Sequence, residues 1–264
     1  MLTEVKNQIK VIMLSVKYNI MRQMVNKVTF ITNIVFMILN NAGFIIQWVI
    51  LFSLKENIGG YNLNEVILLW GLAASVYGLA HIVFKKAFEI SDLIINGKLD
   101  SFIVQPKNIF LSLITSDTTV SAIGDWIYGY ICLAIYGITL KNFILFTFFT
   151  VTGSIILTAF ASILGSSCFW IVKGDALADT LTSIMINFAT YPGTIFKKGV
   201  RIIMYTLIPV GIANYMPVDI ILNFNLAQFI YVIGFTILIT TLAFVIFYRG
   251  LKRYSSSNLM SSRI

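Results

Sequence analysis

Long apolar runs alternate with short polar stretches along most of this chain. A helix that crosses the hydrocarbon core of a bilayer needs about 20 mostly apolar residues. Five runs reach that length: 29–54, 63–84, 118–140, 143–172 and 226–248. The pattern predicts an all-α polytopic membrane protein in which each of these runs forms a transmembrane helix.

Two further segments fit a crossing less well. Residues 176–196 are more polar and end at the sequence YPG, whereas residues 200–218 are apolar but contain Pro209 and Pro217. Proline removes a backbone donor and breaks a helix, and broken backbone is tolerated at membrane depth where it lies inside protein or lines a cavity. We favour 176–196 as the fifth of six spans and 197–225 as a re-entrant hairpin on the outer side. The alternative keeps 176–196 inside and lets 200–218 cross.

The first 28 residues show a third pattern, with apolar residues three or four positions apart and basic residues between them. This spacing is that of one face of a helix. Residues 1–28 therefore predict a basic amphipathic helix that lies in the cytoplasmic interface of the membrane. No small-residue cleavage pattern follows the first apolar run, so we expect that run to be retained.

Composition supports a membrane protein. The chain has 264 residues, of which 58% are apolar and 11% charged, and its mean hydropathy is +0.88. A soluble domain carries charge on about a quarter of its residues. We find no internal repeat or linker, and residues 1–264 read as a single transmembrane domain.

The net charge of +8 follows from topology. Most of the 19 basic residues fall on one side of a six-span chain, which is the cytoplasm by the positive-inside rule, so both termini are expected there. The expected partner is therefore the lipid bilayer rather than nucleic acid. The favoured topology leaves three basic residues on the outer side, against the rule: Lys197, Lys198 and Arg201.

Catalytic patterns do not occur in the sequence. There is no phosphate-binding P-loop, no G-x-S-x-G, no H-E-x-x-H and only one histidine, His81. Cys132 and Cys168 lie in separate apolar runs and read as buried hydrophobic residues. We therefore expect no enzyme activity, cofactor or metal site in this chain.

A few acidic residues lie in or beside the predicted spans. Asp117, Asp175 and Asp179 read as charges at the cytoplasmic starts of helices. Asp125 lies deeper, where a carboxylate costs about 2.5–3.5 kcal/mol unless it faces protein or water. Either helix packing or the lining of a pathway accounts for it.

The stretch ISDLIINGKLDSFIVQP, residues 90–106, is too polar to cross the membrane and too apolar for a free loop. Gly97 can end a helix through a left-handed cap, and Pro106 stops a helix from running on. The loop 85–108 thus predicts a short amphipathic helix, a turn and an extended exit at the cytoplasmic face. It is either a surface-lying loop or a docking element for a cytoplasmic protein.

The same stretch resembles an I-x-x-G-x-L-D-x-x-L-x-x-P motif that follows the second span in bacterial ABC-2-type permeases, with Ile103 where the motif has Leu. The later sequences YPGTIF and IPVGIANYMPV also resemble that group, and the order of all these motifs matches along the whole chain. The positions that carry the first match are Ile94, Gly97, Leu99, Asp100 and Pro106.

This resemblance implies the permease subunit of a type-2 ABC exporter in a bacterial cytoplasmic membrane. Such a subunit has six spans, an N-terminal interfacial helix and an outer re-entrant hairpin. Its partners would be a P-loop ATPase, which binds ATP and Mg²⁺, and a second permease chain, identical or homologous. The residues that we assign to ATPase coupling on this basis are Glu89, Asp92, Gly97, Lys98, Leu99, Asp100 and Pro106. Those that we assign to a pathway or gate are Asp125, Pro192, Pro209 and Pro217.

Two other functions remain open at the level of sequence. A secondary transporter or channel that works alone would show more deep charges or a second broken helix in a repeated half. A membrane protein for resistance or assembly would not transport anything. An ATPase encoded beside this chain would favour the exporter, and the substrate itself is not indicated by the sequence.

Overall fold

A computed structural model describes residues 2–105, 107–171 and 173–255. Within that part the chain forms helices joined by short connections and no strand, apart from an isolated bridge between Ile58 and Tyr61. The α-helices are α1 Leu2–Gln23, α2 Lys27–Leu54, α3 Leu63–Val83, α4 Ile90–Ile95, α5 Asp100–Ile103, α6 Ile109–Ile114, α7 Ser121–Tyr136, α8 Leu140–Ser166, α9 Gly174–Phe188, α10 Lys198–Thr206, α11 Met216–Leu222 and α12 Leu226–Leu251. Short 3₁₀ helices cover Lys85–Glu89, Ser167–Phe169 and Gly193–Ile195, and a π-helix covers Gly211–Tyr215.

Four helices of the described chain are long and apolar enough to cross a membrane: α2, α3, α8 and α12. A fifth candidate is the pair formed by α10 and Gly211–Leu222, which is bent by 83°. The helices α7 and α9 have only 16 and 15 residues. The all-α, multi-pass class is therefore confirmed, while the number of crossings is four or five by length and composition.

The predicted boundary between the third and fourth spans is displaced. We placed it at residues 141–142, but α7 ends at Tyr136 and α8 begins at Leu140. Gly137 has φ +132°, which ends α7, and the Thr139 hydroxyl accepts a hydrogen bond from the Asn142 backbone as the N-cap of α8. Local capping thus takes precedence over the apolar run.

The helix predicted over 176–196 is also shorter than expected. It forms α9 and ends at Phe188, after which the chain turns through Pro192 into the 3₁₀ helix Gly193–Ile195. The start of α3, in contrast, falls where the sequence places it. The Asn62 side chain and that of Glu65 form a reciprocal capping box, which fixes the first turn.

The helix α3 is the centre of the molecule and packs most extensively on α7 and α8. Small residues bring α3 and α7 together: a Cβ added to Gly129 would lie 1.8 Å from the Ser75 hydroxyl oxygen, and one added to Gly71 would lie 2.5 Å from Cys132. The helices α2 and α12 are peripheral, and few of their residues are buried.

Different segments of the chain contact the two ends of α3. Just before α3 begins, the Tyr61 hydroxyl donates to Asp219 of α11 at 2.9 Å, and the Thr194 hydroxyl donates to the Gly59 carbonyl. In the preceding helix α2, the ring of Trp48 lies 5.9 Å from that of Tyr191. The segment after α9 and the bent α10–α11 stretch therefore both reach this end.

The start of α9 lies toward the other end of α3. Gly174 packs against Ser167 and Cys168, and the 3₁₀ helix formed by those residues contacts α4, which follows the end of α3. Residues 174–195 thus run from one end of α3 to the other.

Candidate functional site

The first candidate is the α3–α7 connection, residues 84–120, which follows the C-terminal end of α3. Its helix α4 buries Ile90, Leu93 and Ile94, and this helix packs against α8 and α9. A Cβ added to Gly165 of α8 would lie 3.0 Å from the Ile90 side chain, so the absence of a side chain there lets α4 approach closely. The connection is therefore attached to the helical core along its apolar side.

Gly97 ends α4 in the predicted left-handed conformation, with φ +64°. Its amide donates to the Ile94 carbonyl at 3.2 Å, and the Lys98 amide donates to the Leu93 carbonyl at 2.9 Å. This pair of hydrogen bonds is a Schellman motif. The prediction of a glycine cap is confirmed.

The predicted extended exit after that cap is wrong. Residues Asp100–Ile103 instead form the single helical turn α5. The amides of Phe102 and Ile103 both donate to the carbonyl of Leu99, and the Leu99 side chain is 0% exposed. Burial of this leucine turns the chain back on itself. Leu99 accordingly lies inside the chain, and the structure does not offer it to another protein.

Several charged residues of the connection face outward. Asp92, Lys98 and Asp100 are exposed, and the Lys98 ammonium lies 3.1 Å from Asp92 Oδ2. Glu89 is partly buried and pairs with Lys86. Pro106, the remaining residue that we assigned to coupling, lies outside the described residues.

Tyr254, three residues after the end of α12, lies beside Asp100 of this charged surface. Sequence reasoning missed this residue. Its burial and the adjacent Asp100 carboxylate raise the pKa of the Tyr254 hydroxyl to about 12. The Tyr254 ring also lies 6.3 Å from that of Phe169. The chain after the last long helix is therefore part of the support for the connection.

The N-terminal helix is tied to the same connection by charge. Asp117 Oδ2 lies 2.7 Å from the Lys85 ammonium, and Asp117 Oδ1 lies 3.1 Å from the guanidinium of Arg22 in α1. Burial acts to raise the pKa of Asp117, but the hydrogen bond from Lys85 and the nearby positive charges outweigh it and hold that pKa below its usual value. Asp117 is thus an ion-pair centre as well as a charge near the start of a helix.

Neutral polar side chains continue this attachment along α1. The Ser15 hydroxyl and the Asn19 amide donate to the Thr115 carbonyl at 2.7 and 3.4 Å, and the Gln23 amide donates to the Thr118 carbonyl at 3.2 Å. Residues spaced by four lie on one face of a helix. One face of α1 therefore binds the chain just before α7.

The second candidate lies deep in the helical core, at Asp125 of α7. Asn41 of α2 donates a 2.6 Å hydrogen bond from Nδ2 to Asp125 Oδ1, and Asp125 is 5% exposed. Its other oxygen, Oδ2, has no hydrogen-bond partner among the described residues. The hydrogen bond from Asn41 therefore satisfies one oxygen of this carboxyl group and leaves the other without a partner in the described chain.

A cavity of about 240 Å³ opens beside this carboxyl group, and we call it the Asp125 cavity. Aliphatic side chains form much of its wall. Its polar wall comprises Asn40, Asn41, Trp70, Tyr77, Asp125, Thr190 and Asn214. With its amide oriented to satisfy both ends, Asn214 donates to the Ala213 carbonyl and accepts from the Ala73 amide.

The three prolines assigned to a gate are buried, and none of them is among the residues that line this cavity. Pro209 lies at the break after α10, and Pro217 lies in the first turn of α11. The Tyr215 hydroxyl donates to the Phe188 carbonyl at 2.6 Å, and a Cβ on Gly193, which follows Pro192, would touch the Tyr215 ring. The structure thus brings the turn at Pro192 and the π-helix together.

Sequence reasoning missed Asn41 and Asn214 as parts of this site. The adjacent pair Asn40–Asn41 inside an apolar run was a usable signal, because an amide in a span needs a polar partner. A π-helix is frequent at functional sites but has no sequence signature that reveals which side chain it directs inward.

A sequence model of one protein family, described as "ABC-2 family transporter protein", matches residues 12–258. No curated protein and no solved structure matches this chain.

Proposed function

Because the chain belongs to the ABC-2 family of transporter proteins, we propose that it is the permease subunit of an ATP-binding-cassette exporter that a separate ATPase drives. The family match and the long apolar helices together identify the chain as a multi-pass membrane permease of an ABC transporter. The observation that carries the finer proposal is the α3–α7 connection, whose apolar side is anchored to α8 while its charged side is exposed.

The ATPase is proposed as a separate protein because this sequence contains no P-loop. ATP and Mg²⁺ would bind to that subunit, and this chain would supply the membrane path. A second permease chain, identical or homologous, would complete the path.

We propose six crossings with both termini in the cytoplasm. Residues 174–195 connect opposite ends of α3, which supports α9 and the turn after it as a crossing. Thr194 and Asp219 both contact the start of α3, which supports a stretch that enters from one side and returns to it. At 16 residues, α7 is about 24 Å long and needs its flanking residues to span a core of about 30 Å.

Force from the ATPase would enter at Asp92, Lys98 and Asp100. Below them, α4 packs on α8 and α9, so a displacement of the connection moves helices of the core directly. Leu99 would act from within, by keeping the charged turn in a fixed position on the core. Gly97 would also keep the turn in this position, through the Schellman motif that ends α4.

A charge exchange tests this docking role. In the pair Asp92→Lys with Lys98→Asp, the ion pair within the chain is retained while the charges offered to a partner are reversed. We expect at least a tenfold loss of association with the ATPase and of its stimulation, at unchanged thermal stability. Lys252→Asp, which reverses an exposed charge at the end of α12 and lies outside the residues assigned to coupling, is the matched control. Full association of the Asp92–Lys98 exchange variant would refute docking at this surface.

A further inference from the structure

Two buried polar atoms of the Asp125 cavity lack a partner in the described chain. They are Oδ2 of Asp125, which is an acceptor, and Nε1 of Trp70, which is a donor. An unsatisfied buried polar atom costs about 1–3 kcal/mol, and more when it is charged. A bound molecule that brings an N–H donor would remove this cost at Asp125.

The residues that line the cavity favour a positively charged occupant. Among the described residues that line it there is no Lys, Arg or His, and Asp125 contributes its one acidic group. The nearest amide, Asn41, already donates to the other oxygen of that carboxyl group. A carboxylate in such a site is complemented by a cation that brings its own N–H donors.

The remaining wall selects for an apolar body. Leu157, Met185 and Ala189 line the cavity together with Trp70. An indole ring is the best aromatic partner for a cation, and it also packs well against an apolar group. A volume of about 240 Å³ admits a small aromatic or aliphatic amine.

We propose that the Asp125 cavity binds an organic ammonium ion, with an N–H directed at Asp125 Oδ2 and the apolar body against Trp70 and the aliphatic wall. As a step in export this binding rests on the proposed permease function, because the cavity then is part of the transport path. The helices around it fit that use: α2, α3 and α7 meet the π-helix there, so an occupant contacts both the core and the segment that carries the prolines.

The test uses the full-length chain in lipid nanodiscs, without an ATPase, and two probes of nearly equal size. 2-Phenylethylammonium carries the charge, and 2-phenylethanol does not. Their dissociation constants are measured by titration calorimetry, with empty nanodiscs subtracted. We expect the ammonium ion to bind at least tenfold more tightly than the alcohol, a difference of about 1.4 kcal/mol.

Variants then locate the binding. Asp125→Asn retains the shape of the carboxyl group and is expected to abolish the preference for the ammonium ion. Asp117→Asn removes an acid outside the cavity and is expected to leave the preference intact. Equal binding of both probes to the unmodified protein, an equal loss in the two variants, or a cavity that takes up water only would each overturn the proposal.

The two proposals can fail separately. A chain that binds the ammonium ion but never associates with an ATPase retains the site and loses the exporter function. A chain that stimulates an ATPase yet shows no preference for the ammonium ion retains the permease function and loses this site.

Discussion

Asn41 and Asp125 form a 2.6 Å hydrogen bond between Nδ2 and Oδ1, and this bond joins α2 to α7. Most apolar side chains of α2 are exposed, and Asn41 and Trp48 are its buried residues. In a bilayer, apolar contact between helices gives little driving force, so interhelical hydrogen bonds and close packing hold helices together. The pair therefore fixes the position of α2 against the core.

We predict that Asn41→Leu destabilises the protein by about 1–3 kcal/mol, because it removes the donor and leaves the carboxyl group of Asp125 unsatisfied. Asp125→Leu should have a smaller effect, because the Asn41 amide then loses one of its two acceptors and keeps the other, the Met37 carbonyl. The double variant should be more stable than the sum of the two losses implies, which a double-mutant cycle of thermal unfolding in nanodiscs measures. Asn40→Leu, at the neighbouring exposed residue, serves as the control. Strict additivity would show that the two side chains do not interact.

We predict that Asp117 makes stability depend on pH in the acid range. Its folded-state pKa lies below the ordinary value of about 4, because the hydrogen bond and charge of Lys85 outweigh the effect of burial. A lowered pKa adds stability that is present above the ordinary pKa and is lost as the pH falls through the folded value.

The measurement for Asp117 is a comparison with Asp117→Asn. The unmodified protein should have the higher melting temperature at about pH 6, and the difference should shrink as the pH falls below the ordinary carboxyl pKa of about 4. Arg22→Gln should remove part of the difference, since Arg22 contacts the same carboxylate. A difference that stays constant over this range would contradict a role for ionised Asp117 in attaching α1.

Helix boundaries could be predicted where their determinants are local. The start of α3 follows from Asn62 and Glu65, and the end of α4 follows from Gly97. The break between α7 and α8 has local determinants too, in Gly137 and Thr139, but the unbroken apolar character of the sequence concealed them. Hydropathy alone therefore locates a span without fixing its ends.

The candidate sites were predictable in part. Composition and motif order indicated the α3–α7 connection and Asp125, because polar residues in a chain of this kind stand out. The sequence could not show that Leu99 points inward, since a leucine in an amphipathic stretch suits either side. Nor could it place Tyr254 beside Asp100, because that contact joins residues far apart in the chain.

We predict that Leu99→Ala destabilises the protein by about 2–5 kcal/mol, because the leucine is fully buried and its truncation leaves a cavity. Val104→Ala is the matched control, since that side chain is 82% exposed. Protease cleavage within residues 96–105 should become faster in Leu99→Ala and stay unchanged in Val104→Ala. Equal cleavage of both variants would mean that Leu99 does not hold the turn against the core.

Cysteine labelling tests the arrangement of the chain across the membrane. Cys132 and Cys168 are buried, so a reagent that cannot cross membranes should label the unmodified protein weakly. Cysteines are introduced singly by Lys98→Cys and Lys198→Cys, at exposed positions on opposite sides of the proposed topology. In intact cells we expect Lys198→Cys to react at least tenfold faster than Lys98→Cys, with equal rates after permeabilisation. Lys252→Cys, also exposed, should match Lys98→Cys because both lie on the cytoplasmic side.

Labelling of Lys98→Cys in intact cells would place the α3–α7 connection outside, where no ATPase can reach it. Protection of both Lys98→Cys and Lys198→Cys would instead mean that residues 200–218 cross and that α9 stays inside.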